Sequence, residues 1–92
     1  MYWIDKMHES DKRILRLIEL LIFEKKISNT AEFCSKIDML KQTVSKIKNG
    51  NNHFTVIQIE QICKVFNVNA NWIFGTNNKV FNNSDSIIID KI

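Results

Sequence analysis

Proline is absent from this chain, and glycine occurs only at Gly50 and Gly75. An all-β protein needs a turn every ten residues or so, and so few turn residues argue against one. Helices are favoured. Cysteine is scarce as well. Cys34 and Cys63 show no C-x2-C spacing, His8 and His53 show no H-x3-H spacing, and no metal site or cofactor is implied. Both cysteines fall at apolar positions of the helices predicted below, which suits reduced core thiols in a cytoplasmic protein. No stretch reaches the roughly 18 apolar residues of a membrane span. The start, Met1-Tyr2-Trp3-Ile4-Asp5-Lys6, lacks the basic-then-apolar order of an export signal. The sequence therefore predicts neither export nor a membrane partner.

The chain has 92 residues, enough for one domain and too few for a large enzyme cleft. Hydrophobic residues make up 45% and charged residues 25%, so the chain should fold rather than stay disordered. Its net charge of +3 is unevenly placed. Residues 1–24 carry Lys6, Lys12, Arg13 and Arg16 against Asp5, Glu9, Asp11, Glu19 and Glu24. Residues 54–92 balance Lys64, Lys79 and Lys91 against Glu60, Asp85 and Asp90. Between them, Lys25, Lys26, Lys36, Lys41, Lys46 and Lys48 face only Glu32 and Asp38. All of the excess sits in the middle third, the footprint expected for a polyanion.

Apolar spacing divides the chain into five short helices. Ile14, Leu17, Ile18, Leu21 and Ile22 follow the i, i+3, i+4 series, predicting a first helix capped by Ser10 and running to about Lys25. Asn29 with Glu32 three residues on predicts a capped second helix over 30–36, carrying Phe33, Cys34 and Ile37. Asp38 suits a tight left-handed turn. Leu40, Val44 and Ile47 then align one apolar stripe of a third helix whose other faces are polar and basic, ending at Asn49-Gly50. Thr55 and Gln58 form a capping box for a fourth helix over 56–66, with Val56, Ile59, Ile62, Cys63 and Phe66 inward. Asn69 caps a last helix with Trp72, Ile73 and Phe74 in the core, closed by Gly75.

Two short helices joined by a tight turn, the second basic, is the layout of a helix-turn-helix. Thr30-Ala31-Glu32-Phe33-Cys34-Ser35-Lys36-Ile37-Asp38-Met39-Leu40-Lys41-Gln42-Thr43-Val44-Ser45-Lys46-Ile47-Lys48-Asn49-Gly50 resembles the motif of the Cro/repressor-type (XRE) family. Phe33, Ile37, Met39, Val44 and Ile47 match its core positions, and Val68-Asn69-Ala70-Asn71-Trp72-Ile73-Phe74 is similar to its closing helix. The likeness spans about residues 12–75. It departs from the family at Asp38, where glycine is usual, at Cys34, where a small alanine is usual, and at Ser28, whose apolar pocket Ile27 can fill instead.

The resemblance implies an all-α, compact five-helix, repressor-like helix-turn-helix domain over residues 10–75. It is preceded by an extension over 1–9 and followed by a tail over 76–92, strand or disordered. It also implies sequence-specific binding of double-stranded DNA by a bacterial or phage transcriptional repressor, as a homodimer on paired half-sites. Lys41, Gln42 and Lys46 on the third helix are the expected base readers, since Gln can pair with adenine N6 and N7 and Lys with guanine O6 and N7. Leu40 and Thr43 can meet a thymine methyl. Thr30 and Thr55 start helices whose amides attract phosphate, and Ser45, Lys48, Asn49, Asn51, Asn52 and His53 would help fix the register. The expected dimer interface is Ile87-Ile88-Ile89 or Tyr2-Trp3. The other reading of the same sequence is an antitoxin-like module that captures a protein partner and autoregulates. An enzyme is not expected, because both thiols fall on core faces away from the two histidines.

Overall fold

A computed structural model describes residues 7–82, and within them the protein is all-α. The helices are α1 (Glu9–Phe23), α2 (Thr30–Lys36), α3 (Lys41–Lys48), α4 (Val56–Phe66) and α5 (Ala70–Ile73). Tyr2, Trp3 and Ile87–Ile89 lie outside the described residues.

Helix α1 supplies the longest wall of the core. Ile14, Leu17, Ile18 and Leu21 are buried, and each such side chain removed from water is worth about 1.5–3 kcal/mol. The helix begins one residue before Ser10. His8 is its N-cap, and Ser10 is buried in the first turn. The cap comes from within the helix, because the Asp11 carboxylate accepts the His8 N–H at 3.2 Å. Its end also differs from the predicted Lys25: Lys25 adopts a left-handed φ of 62° and the helix stops at Phe23.

The remaining elements start where local capping directs them. Asn29 Oδ1 accepts the Glu32 N–H at 2.9 Å, and Glu32 Oε1 accepts the Ser28 N–H at 2.8 Å. Asp38 takes the expected left-handed turn, with φ 57°, and the Met39 N–H closes back on the Cys34 carbonyl at 2.9 Å. Thr55 and Gln58 exchange both bonds of the capping box. Asn69 caps α5 through the Asn71 N–H, and its side-chain amide donates to the Lys79 carbonyl.

Phe33, Cys34, Ile37, Met39, Val44 and Ile47 join the α1 face in one core with Phe54, Ile59, Ile62, Val68, Trp72 and Ile73, and Ile27 is buried beside them. Phe33 stacks on Phe66 with ring centroids 5.3 Å apart. Arg13 ties α1 to α5 by donating to the Trp72 carbonyl at 3.1 Å, with its guanidinium over the Trp72 ring. The core also runs on beyond residue 75, where the sequence placed the end of the domain. Phe81 is buried, Val68 and Phe81 form an antiparallel bridge, and Asn69 and Asn82 bond to backbone carbonyls across it.

Three apolar residues assigned inward by spacing point outward: Leu40 is 69% exposed, Val56 71% and Phe74 54%. Each stands at a helix boundary. Spacing identifies a face, but it says nothing of whether a neighbour covers that end of it.

Candidate nucleic-acid interface

Helix α3 is anchored by two side chains, Val44 and Ile47, and everything else on it except the half-buried Thr43 is exposed. At about 100° of rotation per residue, the point opposite the Val44–Ile47 anchor falls among Gln42, Ser45, Lys46 and Asn49. Lys41 and Lys48 sit on one flank, and Thr43 sits on the other. The predicted trio Lys41, Gln42 and Lys46 therefore straddles the outward face, with Gln42 and Lys46 central and Lys41 to the side.

Lys41 is exposed, and its charge is felt at Cys34. Burial pushes the Cys34 thiol up from its ordinary pKa, and the Lys41 ammonium acts in the opposite direction without overcoming it. Burial likewise raises the Cys63 thiol. Both cysteines are free, and a raised pKa leaves little thiolate at neutral pH.

The start of α3 has no capping side chain. Leu40 occupies the N-cap, and its exposed isobutyl group has nothing with which to accept the first amides. The Thr43 N–H turns back to the Leu40 carbonyl at 3.0 Å, and the Lys41 and Gln42 amides, which precede any intrahelical acceptor, face outward.

The predicted phosphate contacts fall into separate places. Thr30 and Lys48 line one cleft, of about 430 Å³, between α1 and α3. Thr55 lies in another groove, beside the Asp38 carboxylate, an acid that opposes a phosphate there. Its own N–H is held by Gln58, and its hydroxyl accepts the Gln58 N–H. Asn49, Asn51 and Asn52 are exposed around the turn at Gly50, whose φ is 79°. Asn52 Oδ1 accepts the His53 N–H at 2.9 Å.

His53 is engaged within the protein. Its Nδ1 lies 2.6 Å from Asp11 Oδ2, and its ring stacks on His8 with centroids 3.7 Å apart. Asp11, fully buried, also accepts the Phe54 N–H at 2.9 Å. Asp11 thus pins the loop after α3 to the start of α1. The donor atoms of His8, Asp11 and His53 lie within 4.8 Å of one another. The imidazole planes are nearly parallel, however, so their in-plane lone pairs run side by side instead of converging. As placed, the trio forms a hydrogen-bonded latch.

Two bases outside the predicted set reach the same surface. Lys12 and Arg16 line the Thr30–Lys48 cleft. Their segment is acidic overall in sequence, so charge counting hid them. Only their periodicity, opposite the buried face of α1, marks them as exposed.

Among the described residues no helix is long and apolar enough to cross a membrane. Comparison with protein-family models, with curated proteins and with solved structures finds no match to this chain.

Proposed function

We propose that the protein binds double-stranded DNA sequence-specifically through α3 and acts as a transcriptional repressor of bacterial or phage type. The observation that carries this reading is the make-up of α3: a short helix held by two buried residues, offering Gln42, Ser45, Lys46 and Asn49 outward with Lys41 and Lys48 at the flank. An α-helix fits the major groove, and amide and ammonium groups are the donors that read adenine and guanine edges there. The raised thiols, with little thiolate at neutral pH, support a reading in which neither cysteine serves as a nucleophile.

The test is selection of bound duplexes from a random pool at about 0.15 M salt, which suppresses purely non-specific phosphate binding. Wild type should enrich a two-fold symmetric motif, and the triple variant Lys41→Ala, Gln42→Ala, Lys46→Ala should lose it while remaining folded. Failure of the folded wild type to enrich any motif would overturn the reading.

A homodimer accompanies this function. The surface that suits it is an apolar groove between α4 and α5, lined by Val56, Ile59, Cys63, Ala70 and Phe74 and edged by Glu60 and Lys64. These two charges stand one turn apart. An antiparallel two-fold pairing of α4 sets Glu60 against Lys64 of the second copy, and Lys64 against its Glu60. Sedimentation should then show that Glu60→Lys or Lys64→Glu alone weakens dimerisation and that the double exchange restores it. If neither single variant alters the association, the dimer is held elsewhere. An antitoxin-like role would instead place a different protein in this groove, and the double exchange would not restore that complex.

A further inference from the structure

We infer that the DNA-contacting surface extends onto α1, with Lys12 and Arg16 joining Lys48 of α3 to hold the phosphodiester backbone beside the reading helix. This rests on the reading of α3 given above.

In sequence, α1 and its neighbours look like the wrong place for an anion, because residues 1–24 carry more acids than bases. Folding changes that balance. Glu9 is taken by Arg13, at 2.9 Å, and Asp11 is fully buried, where its carboxylate is occupied by His53 and the Phe54 N–H. Two of the acids of α1 are therefore neutralised or hidden, together with one of its bases. Lys12 and Arg16 are exposed, and neither makes an ion pair among the described residues. Both line the cleft that Lys48 and Thr30 close from the other side. One acid, Glu19, lines it too, so three cations face one anion across a gap between the helix that reads and the helix that supports it.

The arrangement is also unfavourable by itself. Lys12 and Arg16 are one turn apart, and like charges at that spacing destabilise a helix. Lys48 adds a third positive charge to the same cleft. A phosphate backbone relieves this repulsion and releases its condensed cations in exchange. The cleft contacts carry no sequence information, which fits residues standing off the outward face of α3.

The experiment is titration of the selected duplex, by fluorescence anisotropy, across about 0.1–0.3 M salt. The double variant Lys12→Ala, Arg16→Ala should lower the slope of log affinity against log salt by about 2, one for each lost phosphate contact. Its preferred motif should be unchanged. Glu19→Gln should bind more tightly than wild type. Both variants alter exposed side chains, and their unfolding midpoints confirm that the fold is kept. An unchanged slope in the double variant, with the triple variant of α3 still losing the motif, would overturn this inference and leave the reading of α3 standing. Failure of the wild type to bind any duplex would overturn both.

Discussion

Helix α4 opens with Thr55, whose hydroxyl accepts the Gln58 N–H at 3.1 Å while Gln58 accepts the Thr55 N–H at 2.9 Å. Helix α3 opens with Leu40, whose side chain can accept nothing, so only its carbonyl takes a first-turn amide, that of Thr43 at 3.0 Å. A start like that of α4 is worth about 1 kcal/mol over an apolar one, so α3 gives up stability that a single hydroxyl would supply. It is also the shorter helix, at 8 residues against 11, and the less able to bear the loss. Sequences tend to break a local rule where a surface serves something other than folding. The contrast between the two starts thus separates a helix built to hold the domain together from one built to present a face.

The start of α1 is the strongest of the three, and breaking it should have the largest effect. Asp11→Ala leaves the buried Phe54 N–H without an acceptor and frees the His53 loop, and it should cost about 3 kcal/mol. Urea unfolding should show a lower midpoint at unchanged slope. Asp11→Asn, which keeps an oxygen for Phe54, should cost less. A loss below about 1 kcal/mol in Asp11→Ala would mean that the latch does not hold the loop.

A smaller effect comes from making α4 start as α3 does. Thr55→Ala should destabilise the protein by about 1 kcal/mol, read in the same urea experiment. No change would remove the basis for contrasting the two helices.

The parts of this molecule legible in its sequence are those decided by residues three or four apart. Asn29 with Glu32, Thr55 with Gln58, and the stripes ending in Leu21, Ile47 and Ile62 are such cases, because a helix brings these positions together wherever it lies. Asp11 is the opposite case. Its partners His53 and Phe54 are more than forty residues away, and no spacing rule connects them. Counting it as a surface acid made residues 1–24 look unfit for an anion, and so concealed Lys12 and Arg16. The same limit hid Phe81, which is buried through a bridge to Val68 rather than through any helix. His53 neighbours the loop asparagines in sequence, while its ring turns inward to Asp11. The outward face of α3 was legible as polar, but the centring of that face on Gln42 and Lys46 needed the orientation fixed by Val44 and Ile47.

The smallest effect has the opposite sign and sharpens the comparison most. Leu40→Ser gives α3 the cap it lacks, its hydroxyl being placed to accept an amide of the first turn, and should raise stability by about 0.5–1 kcal/mol. Leu40 is 69% exposed, so little buried area is lost to offset the gain. If the apolar start is retained because it meets a thymine methyl, the same variant should bind the selected duplex more weakly, with the loss greatest at one base position. Unfolding and binding measured on one preparation separate these effects. A gain in stability with unchanged affinity would show that Leu40 is not kept for DNA, whereas a gain paired with a base-specific loss would place the reading surface at the very start of α3.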